Sequence, residues 1–102
     1  MRLPPLPKKV KGAIIDYVVT LGTVDPSLAG ECALNTKGAA LRISDAYPPE
    51  YQWQTFIHEW LHKIEREAGV SLKDDEGDSD VDRLATAIVA DFLRNKWTLP
   101  GG

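Results

Sequence analysis

The two histidines of this 102-residue chain, His58 and His62, stand four positions apart, and Glu59 directly follows the first. On an α-helix, residues four apart lie on the same face, so both imidazoles can bind one metal ion. In the H-E-x-x-H spacing the histidines hold zinc and the glutamate serves as general base. The motif predicts a zinc-dependent hydrolase of peptide bonds, with Glu59 taking a proton from a metal-bound water. The alternative is a polar helix face with two solvated histidines.

Catalytic zinc normally takes three protein ligands and keeps one position open. No further histidine exists, so the third ligand must be an aspartate, a glutamate, Cys32 or a water. The acidic segment 73–82 holds the candidates. On a helical wheel, Asp82 lies beside the apolar row of the helix that follows, which makes it the first choice, with Asp78 and Asp80 behind it.

A helix cap is the competing role for Asp82. Residues 79–82 read Ser-Asp-Val-Asp, a pattern in which the serine caps the helix and an acid at the third helical position stabilises its first turn. The two roles exclude each other only if both carboxylate oxygens are used. Both therefore stay open at this point.

Two helices are expected to position these groups. The first runs from about residue 50 to 68, opened by Pro48-Pro49 and stopped by Gly69. Its apolar stripe consists of Trp53, Phe56, Ile57, Trp60, Leu61 and Ile64. The second helix runs from about 80 to 97. The first stripe can pack on a sheet while the polar trio faces a cleft.

Strands are expected before the helices. Residues 13–20 are short, β-branched and aromatic, and residues 31–35 and 39–44 flank a turn that indicates a hairpin. The fold class is therefore α+β, with a small antiparallel three-stranded sheet packed on the H-E-x-x-H helix and a C-terminal helix. One domain spans 1–102, with residues 1–9 as an extended, proline-rich arm.

Charge and composition limit the kinds of partner and the location that we expect for this protein. A net charge of −3 gives no global attraction to nucleic acid or anionic lipid, and no run approaches the length of a membrane span. A single cysteine precludes an intrachain disulfide, and the N-terminus lacks the apolar core of a signal peptide. We expect a cytoplasmic protein with a peptide or protein substrate; the oligomeric state stays open.

The motifs resemble those of the small phage- and prophage-encoded zincin-like metallopeptidases, distant relatives of the ImmA/IrrE and SprT-like families. The resemblance rests on residues 51–62, on Gly69, and on the segment 81–85, Val-Asp-Arg-Leu-Ala, which is similar to a "V-E-R-L-A" segment. It implies a minimal zincin-like fold and a Zn²⁺ site. By position, His58 and His62 become ligands, Glu59 the base and Asp82 the acidic ligand, where glutamate is usual.

Further roles follow from that hypothesis. The strand 39–44 is expected to form an exposed sheet edge that aligns an extended substrate, and Tyr47 or Tyr51 to stabilise the oxyanion or simply to pack. The alternative function is a catalytically weak or inactive zincin-like binding or accessory protein of phage or prophage origin; if it is phage-encoded, the expected location is the host cytoplasm. The shorter aspartate at position 82 and the small size favour that alternative.

Overall fold

The computed structural model describes residues 5–12, 15–22, 28–35 and 38–95. The chain has the predicted α+β class. In chain order the elements are β1 (Lys9–Val10), β2 (Tyr17–Gly22), β3 (Gly30–Asn35), β4 (Gly38–Ser44), α1 (Pro49–Ala68), β5 (Asp74–Asp75), β6 (Asp78–Ser79) and α2 (Asp80–Asn95).

The main sheet has four strands in the order β1-β2-β4-β3. The predicted hairpin is confirmed, since β3 and β4 pair antiparallel. The prediction of a three-stranded antiparallel sheet was wrong in strand number and direction, because β2 and β4 are parallel neighbours. Strand β3 lies at the far edge of the sheet, and the β3–β4 hairpin places β4 in the middle, beside β2 and in the same direction.

The proline-rich arm contributes a short strand. Lys9 and Val10 pair antiparallel with β2, so the stretch predicted as an arm ends in an edge strand of the sheet. The predicted strand 13–20 is displaced: the structure has it at Tyr17–Gly22, and residues 13–14 lie outside the described part. Tyr17 and Val19 face the core while Val18 and Thr20 face outward, the alternation of a half-buried strand.

Helix α1 matches its prediction closely. Pro49 occupies its first turn and Glu50 complements the helix dipole there. At the other end, Gly69 adopts a left-handed conformation with φ of 72°, and its N–H donates to the Glu65 carbonyl. The apolar stripe packs on the inward face of β4, and this core includes Leu41, Ile43, Trp53, Phe56, Ile57 and Leu61.

A two-stranded hairpin, β5–β6, connects α1 to α2 and was not expected from the sequence. Gly77 sits in its turn with φ of 77°, a conformation that suits glycine. Helix α2 begins at Asp80 as predicted and is described to Asn95; residues 96–97 of the prediction lie outside the described residues. Its buried residues, Val81, Ala85 and Val89, belong to the core that α1 shares. No helix of the described chain is long and apolar enough to cross a membrane.

Candidate metal centre

The side chains of His58 and His62 converge on one face of α1, beside the clefts that α1 forms with β3. Their Nε2 atoms lie 3.2 Å apart, and the ring centroids are separated by 4.9 Å. Both side chains are partly buried, with 16% and 28% exposed. The structure thus brings together the two imidazoles that the H-E-x-x-H spacing predicted as a pair.

A third group, Asp74, completes this cluster. Its Oδ2 lies 2.9 Å from Nε2 of His62 and 3.4 Å from Nε2 of His58. Asp74 is the first residue of β5, and the tight β5–β6 hairpin folds it back over α1. Two imidazole nitrogens and one carboxylate oxygen therefore face a common point.

Two other carboxylates hold the far sides of the imidazoles. Nδ1 of His58 donates to Oδ1 of Asp82 at 2.5 Å, and Nδ1 of His62 donates to Oε1 of Glu65 at 2.8 Å. The second oxygen of Glu65 accepts the backbone N–H of Leu72 at 2.7 Å, which fixes the carboxylate. A carboxylate on the outer nitrogen is the usual support of a metal-binding histidine, because it fixes the tautomer and the ring orientation.

Asp82, the ligand predicted from the sequence, is thus next to the histidines but on the outer side of His58. Gln54 Nε2 also approaches its Oδ1, at 3.4 Å. The capping role is present at the same time, since the backbone N–H of Asp82 donates to Oγ of Ser79 at 3.0 Å. Asp82 therefore has two roles: its backbone takes part in the cap of α2, and its side chain contacts His58.

The runner-up ligands face elsewhere. Asp78 is ion-paired with Lys73 at 2.5 Å and with Arg83 at 2.7 Å. Asp80 is paired with Arg83 at 2.8 Å. These ion pairs form an exposed network, and within the described residues neither carboxylate forms a hydrogen bond or ion pair with a histidine.

Glu59 lies beside the cluster in a more buried position. Its Oε2 is 3.9 Å from Nε2 of His58, and the residue is 7% exposed. Burial raises the pKa of Glu59, and the positive potential of His58 and His62 opposes that rise. A carboxylate here is farther from the imidazoles than Asp74 and is open to the clefts on both sides of the site.

Asp74 has the opposite electrostatic balance. Partial burial raises the pKa of Asp74, but the hydrogen bond from Ser79 and the potential of His58 and His62 outweigh this, so that the pKa falls below its usual value. The Ser79 hydroxyl donates to Oδ1 at 2.6 Å, leaving Oδ2 for the histidines. The carboxylate is therefore oriented toward the two imidazoles, and its ionised form is favoured.

Two clefts flank Glu59 along strand β3. The first is lined by Leu28, Ala29, Gly30, Tyr51, Gln54, Thr55, His58, Glu59 and Asp82. The second, of about 430 Å³, is lined by Cys32, Glu59, His62, Glu65, Arg66, Val70 and Ser71. The two clefts have Glu59 in common and lie between residues of β3 and residues of α1; together they are called the groove.

The edge strand of this groove is not the one predicted. Strand β4, the expected edge at residues 39–44, lies between β2 and β3, and β3 forms the edge instead. Tyr51 lines the first cleft, and Tyr47 stacks on it with ring centroids 4.7 Å apart. An oxyanion role for either tyrosine stays a prediction. Cys32 is half-buried in the second cleft, and burial raises the pKa of its thiol.

The cluster has the donor chemistry of a zinc site. Two groupings of the described residues bring ligand atoms within 4.8 Å of one another, one formed by the H-E-x-x-H trio and one by His58, Asp74 and Asp82. Ligands held tetrahedrally at zinc–ligand distances of 2.0–2.1 Å are themselves about 3.3 Å apart. The separations among His58, His62 and Asp74, 2.9–3.4 Å, fit that value.

Comparison with known proteins supplies no family for this chain. No protein-family model, curated protein or solved structure matches it. The resemblance to phage zincin-like peptidases therefore stays a prediction, and the function has to be argued from the geometry of the site.

Proposed function

We propose that this protein is a zinc-dependent hydrolase of peptide bonds, in which His58, His62 and Asp74 are the metal ligands and Glu59 is the general base. In this assignment Asp82 supports His58 from the outer side instead of serving as the third ligand. The proposal keeps the chemistry expected from the H-E-x-x-H motif and moves the acidic ligand from α2 to the preceding hairpin.

The observation that carries the proposal is the convergence of three acceptor atoms. Because Asp82 and Glu65 accept hydrogen bonds from Nδ1 of the two histidines, each neutral imidazole presents a lone pair at Nε2. Those lone pairs and Oδ2 of Asp74 face one another at 2.9–3.4 Å. A single proton can form a hydrogen bond between only two of these acceptor atoms, whereas one divalent cation can bind all three.

Zinc suits this donor set best. Two imidazoles and a carboxylate are a ligand combination of catalytic zinc, and they leave a fourth position free. The three ligands arise from two elements, α1 and β5, and the groove reaches the cluster from both sides. When bound, zinc would supply Lewis acidity, lowering the pKa of a water molecule and polarising a carbonyl.

The chain's own residues provide the remaining chemistry. Glu59, beside the cluster and open to both clefts, accepts a proton from the attacking water and delivers it to the leaving amine. Because Glu59 is buried, few bulk water molecules can reach its carboxylate and exchange protons with it. Glu65 and Asp82 keep both imidazoles in the tautomer and orientation that present Nε2 to the cluster.

The edge strand points to a polypeptide substrate. Ser44 N–H donates to the Ala29 carbonyl, which makes Ala29–Ser44 a hydrogen-bonded pair of the β3–β4 ladder. Because such pairs alternate in an antiparallel ladder, the backbone groups of Gly30 and Cys32 face the open edge. These residues line the two clefts on either side of Glu59. An extended peptide can pair with them and place a carbonyl at the cluster.

Metal content and cleavage together test the proposal. The purified protein is expected to hold one zinc ion after dialysis, measured by elemental analysis, and to cleave an unstructured protein such as casein. Glu59→Gln should retain zinc and lose at least about 99% of that cleavage, in line with the contribution of a general base. Glu76→Gln, in the exposed β5–β6 turn, is the matched control and should behave like wild type.

Absence of zinc from the wild type, or unchanged cleavage in Glu59→Gln, would overturn the assignment. We also propose a cytoplasmic location, supported by the single cysteine of the chain. Fractionation of cells that express the full-length protein tests it.

A further inference from the structure

Arg66 stands in the groove next to the candidate metal centre. It follows His62 by four residues on α1, so it lies on the same helix face one turn further along. It lines the second cleft together with Cys32, Glu59 and His62. Its Nη1 donates to the buried Tyr17 hydroxyl at 3.2 Å, and Cys32 lines the same cleft. The guanidinium is thus anchored by an uncharged group while the residue stays exposed to solvent.

The charged side chains next to Arg66 on α1 already have other partners. Both oxygens of Glu65 are occupied, by His62 and by the Leu72 N–H. Lys63, the other cation on this side of α1, is buried and paired with Glu67. Within the described residues no carboxylate lies within ion-pair distance of Arg66. The guanidinium therefore has no ion-pair partner among the described residues. It lines a cleft whose acidic residues are Glu59 and Glu65.

From this placement we infer that Arg66 binds a carboxylate of the substrate, adjacent to the bond that is cleaved. The inference rests on the proposed function and adds a preference for acidic substrates to it. One helical turn rises about 5.4 Å, and one extended residue spans about 3.5 Å. A carboxylate one or two residues from the reacting carbonyl therefore reaches the guanidinium, which can bind it through two parallel hydrogen bonds.

Two kinds of carboxylate fit this chemistry, and they correspond to opposite substrate directions. Helix α1 and strand β3 run the same way along the groove, since Gly30 lies beside His58 and Cys32 beside His62. A substrate antiparallel to β3 brings the residues before the cleaved bond to Arg66, so an aspartate or glutamate side chain binds. A parallel substrate brings the residues after the bond, including a C-terminal carboxylate.

Zinc-binding hydroxamates test the inference without requiring turnover. Acetyl-glutamyl hydroxamate and acetyl-glutaminyl hydroxamate place an acid or its amide on the side before the cleaved bond. Hydroxamoylacetyl-alanine and its amide place them on the side after it. Dissociation constants are measured by calorimetry on the zinc-loaded full chain, for wild type, Arg66→Gln and Arg66→Lys. Arg94→Gln, a change of another exposed arginine on α2, is the matched control.

In the wild type, the acid of one pair should bind about tenfold or more tightly than its amide, as expected for a charge-assisted hydrogen bond. Arg66→Gln should reduce that ratio to about one without changing amide binding, Arg66→Lys should keep part of it, and Arg94→Gln should keep all of it. The acid–amide pair that shows this preference tells whether Arg66 binds a carboxylate before or after the cleaved bond.

A ratio near one for both pairs in zinc-loaded wild type would overturn the role of Arg66 and leave the zinc site intact. A ratio that survives in Arg66→Gln would do the same. A wild-type protein that takes up no zinc would overturn the proposed function itself and this inference with it. Tyr17→Phe removes the hydroxyl that anchors Arg66, so it should weaken the acid preference several-fold without loss of zinc.

Discussion

The hydroxyl of Ser79 donates a hydrogen bond of 2.6 Å to the carboxylate of Asp74. The same oxygen accepts the backbone N–H of Asp82 at the start of α2. The residue that caps the second helix thus also orients the third member of the cluster. In this fold, the stability of a helix terminus and the geometry of the candidate metal centre depend on one side chain.

Replacing Ser79 with alanine should therefore affect two properties. Loss of the cap should lower the free energy of unfolding by about 1 kcal/mol, measured by urea denaturation of the zinc-free protein. Loss of the bond to Asp74 should weaken zinc binding about 10- to 100-fold, measured by chelator competition. Ser79→Thr keeps the hydroxyl and should restore both. A Ser79→Ala protein with unchanged zinc affinity would contradict the positioning role.

Asp74 and Asp82 should differ in their importance for zinc. Asp74→Asn removes a charged ligand and should lower zinc affinity more than Asp82→Asn does, because an outer carboxylate typically contributes about 10- to 100-fold. Asp75→Asn, the exposed neighbour of Asp74 in β5, is the matched control and should bind zinc like wild type. Competition with a chromogenic chelator measures all three variants. A larger loss in Asp82→Asn than in Asp74→Asn would restore Asp82 as the ligand.

The contrast between these two aspartates shows what the sequence could predict. A helical wheel relates residues within one helix, so it placed His58, Glu59 and His62 correctly relative to one another. For Asp82 the wheel gave only a position beside the apolar row of α2, and its contact with His58 depends on how α2 packs against α1. Asp74 lies outside both helices, and its position depends on a hairpin whose local signal was Gly77 within a charged run.

The sheet shows the same limit. The β3–β4 hairpin was predictable because its two strands are close in sequence. The parallel pairing of β2 with β4 was not, since its partners, such as Tyr17 and Ala39, are distant in sequence and β3 lies between them in the chain. That pairing moves β4 to the interior and leaves β3 as the edge of the groove. Non-local contacts therefore decide which strand can meet a substrate.

Gly30 should tolerate no side chain. A Cβ built there would lie 2.6 Å from Cγ2 of Thr55, 2.8 Å from the carbonyl oxygen of Arg42 and 3.4 Å from Cγ of Glu59. The Arg42 carbonyl belongs to the backbone of β4 and Thr55 belongs to α1, so β3 must shift relative to both neighbours beside Glu59. Gly30→Ala should lower the free energy of unfolding by about 1–3 kcal/mol, measured in urea, and reduce peptide cleavage.

Gly22→Ala is the control for that change. No heavy atom lies within 4 Å of a Cβ built at Gly22, so this variant should unfold and cleave like wild type. The comparison separates a steric effect beside Glu59 from the general cost of altering a glycine in a strand. Equal stability of the two variants would show that β3 does not pack as closely on α1 as the structure indicates.

Cys32 should react slowly with alkylating reagents. Burial raises the pKa of its thiol, and Glu59 acts in the same direction, while Arg66 opposes both. A raised pKa means less thiolate at a given pH, so the rate of alkylation by iodoacetamide should reach half its maximum at a higher pH than for a free cysteine peptide. Arg66→Gln removes an opposing positive charge and should move that midpoint higher still. Mass spectrometry of samples quenched between pH 7 and pH 10 measures the rates. A midpoint below that of the free peptide would show instead that the cation dominates the cleft, and that the thiol is activated.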